Sequence, residues 1–98
     1  MAFHILFEPE AIQDVQEGID WYESVQEGLG VSFYEELNKS IDYLRENPYF
    51  RIRYDQVRCL PLKKFPFMIH FTVDEKNNSV VIRAVFNTFL SPERWKDR

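Results

Sequence analysis

The stretch AIQDVQEGIDWYESVQEGLGVSFYEELNKSIDYLRENP, Ala11–Pro48, decides the fold. In its first half Ile12, Val15, Ile19 and Tyr22 recur at steps of three and four, and Ala11, Gly18 and Val25 widen the stripe. That period marks an amphipathic helix. Pro9 between Glu8 and Glu10 suits its start, because proline is tolerated in a first turn and carboxylates favour the positive helix end. The first helix is therefore predicted over about Pro9–Gln26. In the second half Phe33, Leu37, Ile41 and Leu44 form the stripe of a second helix, about Val31–Glu46, which Asn47-Pro48 stops. Gly28-Leu29-Gly30 leaves room only for a tight joint, with Gly28 suited to a left-handed cap. The two helices then form an antiparallel hairpin, and such a pair needs a sheet to cover its two stripes.

Working outward, Phe3, Ile5 and Phe7 alternate with His4 and Leu6, the period of a strand that precedes the hairpin. Beyond it, Tyr49–Gln56 shows no clean period and reads as a loop. Strands follow at Val57–Lys64, Phe67–Val73 and Ser79–Asn87, joined by the turn at Lys64–Phe67 and the polar loop Asp74–Asn78. On the last strand, simple alternation turns Val80, Ile82, Ala84 and Phe86 one way and Val81, Arg83, Val85 and Asn87 the other. Ser91-Pro92-Glu93-Arg94-Trp95 reads as a capped helical turn. The expectation is one α+β domain over residues 1–98, of order β-α-α-β-β-β. The helix hairpin lies on one face of a small, mainly antiparallel sheet. The other face is expected to be partly open and partly cationic, carrying Met68, His70, Thr72, Arg83 and Asn87.

Composition agrees with a folded chain: of 98 residues, 45% are apolar and 16% aromatic, outside the range of disordered segments. Cys59 is the one cysteine, so no internal disulfide forms, and it reads as a small apolar strand residue. No apolar run approaches a membrane span, and Met1–Phe7 lacks the features of a signal peptide, which gives a cytoplasmic expectation. Residues 1–50 hold 11 acidic and 2 basic side chains, and residues 51–98 hold 5 acidic and 10 basic. The basic half suggests a cationic surface for an acidic partner, whereas the overall charge of −4 argues against strong nonspecific nucleic-acid binding.

Chemistry-bearing motifs are few. There is no glycine-rich phosphate loop, no CxxC pair and no HExxH, so no cofactor or metal is expected. His4 and His70 read as ordinary strand residues. Arg51, Arg53, Arg58, Lys63, Lys64, Arg83, Arg94, Lys96 and Arg98 could hold phosphate if they converged. RNA cleavage would further need an acid and a base. His70, Asp55 and Glu93 are of the right type, and spacing places none of them.

In series, several segments resemble the RelE/ParE superfamily of toxins from bacterial type II toxin–antitoxin (plasmid stabilisation) modules. They are Ala11, Asp14 and Ile19-Asp20-Trp21-Tyr22-Glu23, then Gly28-Leu29-Gly30 with Phe33 and Leu37, and Asn47-Pro48. Further on come Arg58 and Leu60, Phe65-Pro66-Phe67 with Ile69, Val81-Ile82 with Ala84-Val85-Phe86, and Pro92, Trp95 and Arg98. The resemblance implies the β-α-α-β-β-β fold and a toxin restrained by a cognate antitoxin. The assembly is either a homodimer or a hetero-oligomer with that antitoxin. Many members carry a histidine and an arginine where this chain has Asn87 and Leu90. Asn87 cannot shuttle a proton, which favours the ParE-like branch, whose characterised members bind DNA gyrase. The alternative is a RelE-type ribosome-dependent endoribonuclease acting on mRNA, with Arg58, Lys63, Lys64 and Arg83 as the catalytic candidates. A third reading is an interaction module without toxicity. The binding candidates are Arg58, Lys63, Lys64, Arg83, Asn87, Trp95 and Trp21; an exposed Trp21 would anchor an antitoxin segment.

Overall fold

The computed structural model describes residues 2–89. The expected helical turn at Ser91–Trp95, and Trp95 with it, lies outside the described residues. The elements are β1 (His4–Phe7), α1 (Pro9–Val25), α2 (Leu29–Glu46), β2 (Ile52–Tyr54), β3 (Val57–Pro61), β4 (Phe67–Asp74) and β5 (Ser79–Asn87). They form a five-stranded sheet of order β1-β5-β4-β3-β2, with β1 parallel to β5 and every other pair antiparallel. The fold is α+β, with both helices against one face of the sheet. No helix among the described residues is long and apolar enough to cross a membrane.

Phe33, Leu37, Ile41 and Leu44 are all buried, as the α2 stripe predicts. On α1 the buried line runs one residue to the side of the predicted one. Ala11 and Gly18 are buried, whereas Ile12 is 57% exposed. Gly18 explains the offset. A Cβ there would lie 2.7 Å from the Phe33 ring, so the glycine lets that ring sit against the α1 backbone. Phe33 also meets Tyr22, Phe65 and Phe67 at ring-centroid distances of 5.3, 5.4 and 5.0 Å. These rings join the hairpin to the sheet.

The helix joint is shorter than predicted, and α2 begins at Leu29. Gly28 takes the left-handed conformation (φ 87°), as expected of a glycine in that joint. Glu23 reaches across from α1, and its two carboxylate oxygens accept the Gly28 and Gly30 N–H groups, each at 3.0 Å. These donors at the start of α2 lack an intrahelical acceptor. A carboxylate there also favours the helix dipole. Glu23 of the Trp21-Tyr22-Glu23 run and the two glycines thus form one structural device.

β2 is an addition to the predicted strands. It pairs with β3 through Tyr54-Asp55-Gln56-Val57, where Asp55 and Gln56 both have positive φ (42° and 68°). Positive φ at both central residues is the requirement of a two-residue hairpin turn of the I′ class.

Alternation on β5 holds only as far as Ile82. His70 pairs with Ala84 and Phe71 with Ile82, so Arg83 is an extra, bulged residue. The bulge shifts the later side chains by one place. Val80, Ile82 and Val85 enter the helix-side core, and Val81, Ala84 and Phe86 line the other face. Asn87 pairs with the core residue Phe67 and therefore points to the helix side, not to the open face.

Candidate functional site

The face away from the helices carries Thr72, Val81, Arg83, Ala84 and Phe86, with the buried His70 among them. Beside α1 and the turns it deepens into a groove of about 830 Å³. Glu8 and Glu10 stand at one side, where β1 passes into α1; Asp55 stands at the β2–β3 turn, and Asp74, Glu75 and Lys76 at the β4–β5 loop. Among the described residues, five carboxylates thus line the groove against two cations, Lys76 and Arg83. The groove does not, among the described residues, have the expected cationic character. The reason is topological: the turns that rim it are built from Asp-rich sequence, and the α1 start brings in two glutamates.

The guanidinium of Arg83 is already engaged. Nε donates to the Thr72 hydroxyl at 3.1 Å, and Nη1 donates to the Glu8 carboxylate at 2.9 Å. Asp74 accepts from the side-chain amide and the backbone N–H of Asn77, which hold its carboxyl below the ordinary carboxylate range.

Arg58 lies on the opposite face of the sheet. It pairs with the core residue Phe71, and its Nη1 donates to the Phe50 carbonyl at 2.7 Å. Its guanidinium carbon sits 5.3 Å from the centre of the Tyr49 ring. It ties the segment after α2 to the sheet. Arg58 and Arg83 therefore cannot grip one phosphate. Lys63 and Lys64 are exposed in the turn between β3 and β4, where the Lys63 N–H donates to Glu36 on α2 at 3.3 Å.

Trp21 and Asn87 do meet. With Asp14, Glu17, Gly18 and Val85 they line a second, shallower hollow of about 470 Å³ between α1 and the end of β5. The hollow exists because β1 is short. Its last ladder residue is Phe7, opposite Ile82, and the outer edge of β5 runs on alone beyond that point. There Asp14 accepts the Val85 N–H at 3.0 Å, taking the place of a strand partner. Trp21 is 62% exposed on the rim.

His70, on the open face, is fully buried. Its Nδ1 lies 2.8 Å from the Tyr54 hydroxyl and 3.6 Å from the Cys59 sulfur, and the Phe86 ring packs on it at 5.0 Å. A thiol beside an imidazole is the pairing of a nucleophile with its base. Here the closer partner of Nδ1 is the Tyr54 hydroxyl, and Cys59 is buried. Burial pushes the thiol up, against a smaller opposing pull from Arg53. The thiol stays protonated at neutral pH and out of reach. Cys59 is accordingly expected to resist Ellman's reagent in the native protein and to react promptly in urea; labelling at the same rate in both would contradict this assignment.

No family model matches the chain, and no curated protein matches it in sequence. Solved structures do. A chain of the chromosomal ParDE toxin–antitoxin system from P. aeruginosa superposes with a TM-score of 0.77 at 16% identity, over 88% of this chain and 96% of that one. The isolated RelE toxin of E. coli gives 0.68 at 15% identity, over 98% and 95%. The archaeal RelE–RelB complex of Pyrococcus horikoshii gives 0.57 at 13% identity, over 93% of this chain and 100% of that one. The helix hairpin on one face of a five-stranded mixed sheet is thus an architecture shared across nearly the whole length: the chain has the RelE/ParE toxin fold.

Proposed function

We propose that the chain is the toxin of a type II toxin–antitoxin module, held inactive by a cognate antitoxin. The observation that carries this reading is the likeness to toxin structures over nearly the full length of both partners. The motif series from Ala11 to Phe86 falls on the same elements. Within that reading, the ParE-like mode is favoured: the chain acts by binding a protein target such as DNA gyrase.

Three features support binding rather than RNA cleavage. Arg58 and Arg83 occupy opposite faces, and each is engaged within the fold. His70, the histidine of the open face, is sealed beneath Tyr54 and Phe86. The charged residues lining the groove on that face are mainly carboxylates, which repel a phosphate backbone.

Trp21, at the mouth of the hollow beside Asn87, is the anchor we assign to the antitoxin. A large exposed ring over a pocket is the residue type that dominates interface energies. The test is co-purification with the small protein encoded beside the chain. A stable complex that Trp21→Ala weakens by tenfold or more is expected. Absence of any complex contradicts the antitoxin assignment.

A further inference from the structure

The sheet ends on β1 at one side and on β2 at the other. A free edge offers backbone donors and acceptors to any strand that can pair with it, and charged side chains or bulges are the usual protection. β2 has both: Arg51 and Arg53 stand exposed along it, and its ladder to β3 is irregular between Ile52 and Tyr54. β1 has neither. From Ala2 to Phe7 the chain carries no Asp, Glu, Lys or Arg, and Leu6 is 52% and Phe7 36% exposed. The backbone of β1 has a fixed parity. The His4 N–H bonds to the Asn78 carbonyl at 2.8 Å, and the Glu8 N–H to the Ile82 carbonyl at 2.9 Å, both on the β5 side. Alternate residues of a strand face one neighbour, so His4, Leu6 and Glu8 bond toward β5. Ile5 and Phe7 then direct both N–H and C=O outward, and among the described residues no backbone bond outside the sheet engages them. The free stretch is bounded on both sides. The Phe3 N–H is taken by the Arg45 carbonyl at 2.8 Å, and Pro9 has no N–H to offer.

We propose that this edge pairs with the β1 edge of a second copy of the chain, antiparallel about a two-fold axis at Leu6, joining the two five-stranded sheets into one. The register follows from the groups on offer. Residues that exchange bonds in an antiparallel ladder both face outward, which sets Ile5 of one copy opposite Phe7 of the other, and the reverse by symmetry. Every outward N–H and C=O of Ile5 and Phe7 is then used. An axis at Ile5 would set Phe7 against Phe3, whose N–H is taken, and an axis at Phe7 would set Ile5 against Pro9, which has none. The side chains agree with the same register. Leu6 pairs within the sheet with Val81 of the open face, so His4, Leu6 and Glu8 share that face. Leu6 meets Leu6 of the second copy across the axis, and each covers the exposed surface of the other. His4 falls opposite Glu8 at both ends, an imidazole against a carboxylate. Backbone, apolar contact and charge are thus self-complementary, which names a second copy as the occupant.

The inference stands apart from the proposed function, because it requires only β1. So short a pairing buries little area, and the dimer is expected to be weak and concentration-dependent. Sedimentation velocity of the full chain, in a series reaching millimolar concentration, is expected to show a reversible shift from monomer to dimer. Leu6→Lys sets two ammonium groups against each other on the axis and is expected to weaken the dimer by about tenfold. Its Tm should change little, because the side chain is half exposed in the monomer. His4→Lys is expected to tighten the dimer and His4→Glu to weaken it, each by about threefold, because both face Glu8. Leu6→Cys reads the register directly. At the axis the two Cα atoms lie about 4.5 Å apart, within disulfide reach, so oxidised glutathione is expected to yield a covalent dimer. Val31→Cys, a comparably exposed position on α2, is expected to yield none, and the native Cys59 is buried. A monomer at every concentration, a dimer unmoved by Leu6→Lys, the same change from His4→Lys and His4→Glu, or equal cross-linking of the two cysteine variants would each overturn the proposal.

Discussion

Gly30→Ala is expected to cost about 3 kcal/mol of folding stability, the upper part of the range for overpacking a tight site. The added Cβ would lie 2.7 Å from the carbonyl oxygen of Ile19, and 3.0–3.1 Å from the Glu23 side chain. The first of these is backbone in the middle of α1 and cannot step aside like a side-chain tip. The helices must move apart, and Glu23 then loses its grip on the Gly28 and Gly30 N–H groups. For a domain near 100 residues this corresponds to a fall in Tm of roughly 12–24 °C. Gly28→Ala provides the contrast. Nothing lies within 4 Å of its Cβ, so its cost is the left-handed backbone alone, about 1–2 kcal/mol. Urea denaturation followed by circular dichroism separates the two. A milder loss for Gly30→Ala than for Gly28→Ala would contradict the close approach of the helices at the joint.

Phe33→Ala is expected to cost more, about 3–5 kcal/mol, because it removes a fully buried ring that contacts both helices and the sheet. Against a typical total of about 5–15 kcal/mol, that is a large share of the stability of so small a domain. The same ring predicts a coupling. Gly18→Ala alone places its Cβ 2.7 Å from Phe33 and should destabilise, whereas in a Phe33→Leu background the smaller side chain makes room. The two changes should therefore cost less together than the sum of each alone. Additive costs would show that Phe33 does not rest on Gly18.

Much of this architecture is legible in the sequence. The α2 stripe is buried at all four expected positions, Gly28 takes the left-handed conformation expected of the joint, and β4 begins at Phe67 as expected and ends one residue later, at Asp74. What sequence period could not carry is informative. The β2 strand was hidden because its hairpin turn is Asp55-Gln56, and glutamine gives no sign that it will adopt positive φ. The faces of β5 were misassigned after Ile82 because a bulge at Arg83 leaves no trace in a simple apolar alternation, and Asn87 changed sides as a result.

Charge was legible in total and misleading in place. Arg58, Lys63, Lys64 and Arg83 do not gather as free cations on the open face. Arg58 turns to the helix side, Lys63 and Lys64 sit in a turn, and Arg83 is held by Glu8. The carboxylates that shape the groove come from the start of α1 and from two turns, segments distant in sequence that only the strand order brings together. Glu23, by contrast, lay in plain view in the Trp21-Tyr22-Glu23 run, yet its role as acceptor for the next helix depends on a three-dimensional approach that spacing alone does not specify.

The most direct test of the functional account is induced expression of this chain alone in bacteria, with growth, DNA supercoiling and messenger integrity followed in one culture. The account predicts growth arrest with gyrase-type DNA damage and intact messages, relieved when the antitoxin is co-expressed. Arrest with newly cut messages and unaltered supercoiling would contradict the ParE-like mode, and undisturbed growth would contradict the toxin assignment itself.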